Sequence, residues 1–327
     1  MTNLSRRAAL IGSVAALEVA TLVSQRAYAA LPRDRLTEIG SPGFFKFKVG
    51  SFTVITVNDG YAGRALEGMV LNAPIAEVQR VMADAFLPTD KYNGPYTATF
   101  VDTGKMLIAL DTGTGGQLAP TAGRLVANMK SAGIDPTQVD LVVISHCHAD
   151  HITGLTTAEG LPIYPNAELA ISQAEWAWWT EPGNETRSPD SERWNFSNVA
   201  KRFGPYAKRL RRFANDGEIA PGIRAIPSHG HTPGHTSVHI SDGSAEMIAL
   251  IDITHRPELF ARRPDFHSAY DFDPVAASAT RVKILDRVAT DRTLVTGYHF
   301  PFPAVGHIAK DGSGFRLVPV DWSGTSI

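Results

Sequence analysis

Histidine is absent from the first 145 of the 327 residues, although the chain holds 11, all between His146 and His307. Cysteine occurs once, as Cys147. One thiol cannot close an internal disulfide, and a zinc site of four cysteines is equally excluded. Neither sign of charge dominates: 31 Lys and Arg stand against 33 Asp and Glu, a formal net of −2. That gives no electrostatic case for nucleic acid or an anionic membrane surface as partner. A Gly-x-Ser-x-Gly elbow, which would seat a serine nucleophile, is missing. Beyond the N-terminal segment, no apolar run is long enough to span a bilayer. What is present is a 43% hydrophobic content, enough for a full-sized core. Disordered, fibrous and disulfide-scaffold classes therefore fall away.

At the N-terminus, Ser5-Arg6-Arg7 precedes the modestly apolar Ala8–Val23, and Ala27-Tyr28-Ala29 offers a small-x-small cleavage site. This layout predicts a signal peptide over residues 1–30, of twin-arginine type. An amphipathic N-terminal helix is the alternative. Export would make the protein periplasmic or secreted, with residues 31–327 as a single domain and no membrane span in the mature form.

Phe52–Val57 is predicted to be a strand ending at the Asn58-Asp59-Gly60 turn. Thr97–Asp102 and Met106–Leu110 form a hairpin, and Pro120–Ala132 a helix stopped by Gly133. The apolar run Val139–Ile144 suits a strand buried on both faces. Residues 181–192 have loop composition, and Lys201–Arg212 suits a solvated amphipathic helix better than an RNA-binding arm. Further strands fall at Ile223–Ile226, Val238–Ile240, Met247–Ile251, Leu294–Thr296 and Phe315–Val318. Asp273-Pro274 caps a helix that should turn Val275, Val282, Leu285 and Val288 inward. Early and late strand groups, each followed by helices, predict an α/β architecture of two sheets with outer helical layers.

The chemistry gathers at strand ends. Val142-Val143-Ile144-Ser145 leads into His146-Cys147-His148-Ala149-Asp150-His151. On extended backbone His146 and His148 share a face and can converge on one metal, while the adjacent Asp150 and His151 should point apart, toward a second cation. Imidazole nitrogen with carboxylate oxygen is a zinc-like donor set that manganese or iron could also use. Ser228-His229-Gly230-His231-Thr232-Pro233-Gly234-His235-Thr236 turns tightly after another strand. Asp252 and His299 each close a strand, where open sheets present reactive groups.

His-x-His-x-Asp-His, then Thr-Pro-Gly-His, a strand-end Asp and a late His resemble the metallo-β-lactamase superfamily. The likeness spans roughly residues 45–320. It implies an αββα sandwich of two mixed β-sheets and a centre of two divalent metal ions, zinc first. By position, His146, His148 and His235 would hold one metal, and Asp150, His151 and His299 the other, with Asp252 bridging. His229 and His231 are left as supporting or loop residues. Ile251 stands where many members have glycine. Asp111, before the loop, is placed to orient a ligand histidine. Ser228–His235, Phe302–Ile308 and Phe315–Val320 further resemble the methyl parathion hydrolase branch, whose members include lactonases and aryl esterases and are exported dimers.

The resemblance implies hydrolysis of a lactone or aryl ester, and of organophosphate triesters, by hydroxide formed between the two cations. The substrate would be a small neutral molecule and the protein a homodimer. A β-lactam hydrolase and an iron-dependent oxidoreductase of the same fold are the alternatives. The di-iron group usually carries Glu where this chain has His148, and adds a flavin domain. His255 lies where acyl-homoserine lactonases carry a tyrosine that assists ring opening. It is a catalytic candidate, as oxyanion partner or proton donor, against simple packing on Arg256-Pro257. Four of the five tryptophans fall between Trp176 and Trp194. Trp179, Phe196 and Leu118 are expected to wall an apolar pocket, with core packing of two or three tryptophans as the alternative. Cys147 reads as a spacer. Gly113-Thr114-Gly115 lacks the third glycine of a dinucleotide fingerprint, since Leu118 occupies it.

Overall fold

The structure is a computed structural model describing residues 42–188 and 190–321. The expected signal peptide lies outside the described residues. Among them, no helix is long and apolar enough to cross a membrane.

Two seven-stranded sheets make the frame. The first runs in chain order: β1 (Phe44–Val49), β2 (Phe52–Ala65), β3 (Lys91–Asp102), β4 (Leu107–Leu110), β5 (Leu141–Ile144), β6 (Glu168–Ser172) and β7 (Leu210–Phe213). It is antiparallel through β4 and parallel from β4 to β7. The second comprises β8 (Glu218–Ala220), β9 (Ile223–Pro227), β10 (Thr236–Asp242), β11 (Ala245–Ala249), β12 (Leu294–Thr296), β13 (Val305–Asp311) and β14 (Gly314–Pro319). Only β11 and β12 pair in parallel there. Helices α1 (Ile75–Asp84), α2 (Leu125–Ser131), α3 (Ala149–Ile152), α4 (Gln173–Thr180), α5 (Asn184–Arg187), α6 (Asp190–Phe203) and α7 (Pro274–Asp291) complete the αββα sandwich.

The main core lies between the sheets, where Val54, Phe100 and Val142 join Val238, Ile240 and Ala249. All four residues of β5 are buried, as a continuous apolar run requires. A second cluster sets Ile284, Leu285 and Val288 of α7 on the outer face of the second sheet, against Ile248, Val295 and Ile308.

Several expectations need correction. Asn58-Asp59-Gly60 is a bulge within β2 rather than its end. The buried Asp59 carboxylate accepts from Thr114 N, Gly123 N and Leu125 N at 2.7–3.0 Å, so it clamps the 112–125 loop. That loop delays α2 to Leu125, because Gly123 is in the left-handed region at φ 104°. On α7, Val275 and Val282 face solvent, because Ala277 and Arg281 take inward positions with Ile284 and Leu285. Lys201–Arg212 divides between the end of α6, a 3₁₀ segment and β7. Residues 181–192 hold α5 and the start of α6.

Candidate metal centre

The backbone stays extended through His148 and then enters the single turn α3. Alternation therefore holds for the first pair: His146 Nε2 lies 3.1 Å from His148 Nδ1. It fails for Asp150 and His151. The helical turn swings both toward one side, with Asp150 Oδ2 3.7 Å from His151 Nε2 and 3.6 Å from His299 Nε2. They converge instead of pointing apart.

Asp252 sits between the two groups. Its Oδ2 is 2.9 Å from His299 Nε2, 3.3 Å from His151, 3.5 Å from His231, 3.7 Å from His255 and 3.9 Å from His146. Residue 251 helps aim it. Ile251 has φ 57°, left-handed backbone that costs a β-branched residue about 1–2 kcal/mol. Glycine would adopt it freely.

At one position the ligand set departs from the expected one. His231, not His235, completes the first cluster, with Nε2 2.9 Å from His148 Nδ1. Both nitrogens of His235 are already engaged: Nδ1 meets Ser228 Oγ at 2.8 Å, and Nε2 accepts from Asp252 N–H at 3.2 Å. No lone pair is left to face a cation. His229 is exposed. His231 reaches the site because Gly230, at φ 123°, lies against the backbone of Ala277 too closely for a Cβ. The sequence signal for His231 was the glycine directly before it.

The inward histidines are aimed from outside. Asp111 Oδ2 meets His151 Nδ1 at 2.8 Å, as expected of it, and also takes the Ser145 hydroxyl, whose Oγ lies 3.0 Å from His146 Nδ1. Pro95 O receives His299 Nδ1 at 2.8 Å. Sequence reasoning missed Asp271, which holds His231 Nδ1 at 2.9 Å. The fully buried Arg281 fixes Asp271 in turn, while donating to the carbonyls of Ile253, Pro264 and Phe266. Such outer partners set the tautomer and direction of metal-binding imidazoles.

The donor set fits divalent cations. His151 Nε2 and Asp252 Oδ1 are buried yet make no hydrogen bond, a costly state for polar atoms unless something else partners them. His146 Nε2, His148 Nδ1 and His231 Nε2 crowd one point, which three lone pairs tolerate only around a proton or a cation. Groups able to hold an ion are His146, His148 and His231, and Asp150, His151 and His299, with Asp252 joining His146 and His151 on one side and His231 and His255 on the other. Burial holds the His146 and His231 imidazoles well below their usual range and pushes His235 down to about 4. Burial also disfavours charge on His151 and His299, but the Asp252 and Asp150 carboxylates outweigh it and raise both. Desolvation would raise Asp252, yet His299 and His151 beside it hold its carboxyl well below the ordinary value.

A cavity of about 370 Å³ opens over the cluster. Leu118 lines it as expected, but Trp179 and Phe196 do not. Trp179 is buried, its ring tilted against Phe196 with centroids 4.6 Å apart, and its indole donates to Glu175 at 2.7 Å. It faces the core side of α4, a choice helical spacing alone does not make. The wall is instead Trp194, Arg64, Glu192 and three tyrosines, Tyr92, Tyr96 and Tyr270. Burial raises the pKa of all three phenols, leaving them neutral donors. His255 also lines the cavity, and its ring neighbours are His231, His299, Tyr270 and Phe260 at 5.0–5.7 Å. Cys147 is buried, and burial pushes its thiol well up, so a spacer role suits it.

A buried array of imidazoles and carboxylates at the ends of two facing sheets defines a metal-dependent hydrolase. The metallo-β-lactamase superfamily profile matches residues 92–298, and the chain belongs to that superfamily. An N-acyl homoserine lactonase of Bacillus thuringiensis is 22% identical over 240 residues, covering 70% of this chain and 82% of that protein. Among solved structures, the hydrolase AbOPH superposes with a TM-score of 0.81 at 25% identity, over 87% of this chain and 100% of the other. AidC, a dizinc quorum-quenching lactonase solved with the product N-hexanoyl-L-homoserine, gives 0.80 at 24% identity, over 86% and 98%.

Proposed function

We propose that the chain is a lactone hydrolase working with two divalent cations, zinc first, and that N-acyl homoserine lactones are the leading substrate class. Aryl esters come second and organophosphate triesters third. The observation that carries this is Asp252 Oδ2 within 4 Å of five imidazole nitrogens, at the floor of an open cavity. The lactonase relative and the product-bound structural neighbour support the substrate class.

His146, His148 and His231 would hold one ion, Asp150, His151 and His299 the other, with Asp252 shared. When bound, such a pair lowers the pKa of a water between them and polarises the substrate's oxygen. The rest falls to the chain itself. Asp111 and Asp271 keep His151 and His231 turned inward. His255, beside Asp252 on the cavity wall, is placed to hydrogen-bond the carbonyl oxygen or the departing ring oxygen as charge builds there. The neutral phenols of Tyr92 and Tyr96 offer donors to a polar acyl amide, and Leu118 and Trp194 an apolar surface to its chain.

The test compares kcat/KM for an acyl-homoserine lactone, dihydrocoumarin, paraoxon and a β-lactam on one zinc-loaded preparation. The lactones should lead. A β-lactam ahead by more than about tenfold, or stoichiometric iron with oxygen consumption, would replace this reading.

A further inference from the structure

Glu175 takes no part in the chemistry above, yet it is a carboxylate with no exposed surface. Among the described residues no Lys or Arg pairs with it. Four donors hold it instead: Cys147 N–H at 2.9 Å and Trp179 Nε1–H at 2.7 Å on Oε1, Thr232 Oγ1–H and Gly234 N–H at 2.8 Å each on Oε2. Cys147 lies between His146 and His148, while Thr232 and Gly234 follow His231. One oxygen thus grips the first ligand loop and the other the second.

The surroundings leave little slack. Asn195 donates to the carbonyl of Cys147, so that residue is pinned from both sides. Ser172, the N-cap of α4, accepts from Glu175 N–H at 3.1 Å and donates to Gly234 O at 2.9 Å. A Cβ on Gly234 would fall 2.1 Å from Glu175 N, so the His231 loop rests directly on the first turn of α4. A buried anion without a cation is costly unless fully hydrogen-bonded, and here three of the four donors come from the two ligand loops, the fourth being Trp179 on the same helix.

We infer that Glu175 is a positioning residue: it sets the separation of the His146–His148 loop from the His231 loop and so preforms the three-imidazole half of the centre. This rests on the two-metal reading. In Glu175→Gln the side chain keeps its size but presents an NH₂ to one pair of donors whichever way it turns.

The experiment has two arms. In metal-free protein, hydrogen exchange is followed at the Cys147 and Gly234 amides, with Asp59-bound Leu125 N–H as an internal control. Glu175→Gln should speed exchange at the first two by at least about tenfold and leave Leu125 unchanged. In the second arm, Co²⁺ is titrated in. One of two equivalents should weaken by about 10–100-fold, the usual effect of losing an outer partner, and its visible absorption should shift. Thr232→Val, which removes a single donor, should give the same changes in smaller degree if Glu175→Gln does not fold. Unchanged amide exchange in either folded variant overturns the proposal, whatever the metal arm shows. Wild-type protein that binds no cobalt defeats the two-metal reading instead, and leaves the exchange arm to judge Glu175.

Discussion

The two halves of the centre are built differently. Asp150, His151 and His299 sit on α3 and just past β12, close to regular elements whose geometry leaves few options. His146 and His148 extend from β5, but their third partner, His231, hangs on a loop of eight residues between β9 and β10. That loop is held by Asp271, itself fixed by Arg281, and by Glu175 from a separate segment. The strand-end half takes one buried acid, Asp111 on His151, and the Pro95 carbonyl on His299; the loop half takes two buried acids, Asp271 and Glu175, on irregular backbone. Loss of support should therefore harm the second far more than the first.

The largest effect is expected at the shared residue. Asp252→Asn should lower lactone kcat/KM by about 10³-fold, since both halves lose their common anion; a loss below tenfold would show that the halves do not share it. Next comes the contrast between two neighbours. His231→Ala should bind one metal equivalent fewer and lose about 10²-fold in activity, whereas His235→Ala should keep both equivalents. Metal analysis of the two proteins decides, and the reverse pattern would restore His235 as ligand. Asp271→Asn should weaken one metal site by about 10–100-fold while the other keeps its affinity, read by chelator competition. His255→Leu should cut lactone turnover by about 10²-fold with both metals retained; undiminished turnover rules out its role. The smallest effects concern the wall. Leu118→Ala should change KM by a few-fold with Tm little altered. Trp179→Phe should lower Tm and spare KM, as suits a core residue.

The same contrast explains what could be read without coordinates. Strand-end positions announced themselves, because β5, β11 and β12 are short apolar runs, with Ser145 directly after the first and Asp252 and His299 three residues past the other two. The sandwich followed from their grouping. His231 and His235 lie in irregular backbone, where no period of 2 or 3.6 says which faces inward, so the choice between them was open to error. Asp150 and His151 depended on a single helical turn that the sequence marks only with Ala149. Trp179 and Phe196 were expected on the pocket wall and pack away from it, because the side of α4 that meets the core is set by Glu175, three of whose four partners are distant in sequence. Arg281 defeated the apolar pattern of α7 in the same way, since its burial depends on three carbonyls and Asp271.

The most direct test of the account is metal titration and lactone turnover followed together on chelator-stripped wild-type protein. Two equivalents of zinc should bind per chain, with hydrolysis of an acyl-homoserine lactone returning as the second is added. Full activity with one equivalent, or two equivalents bound with no hydrolysis of any lactone, would contradict it.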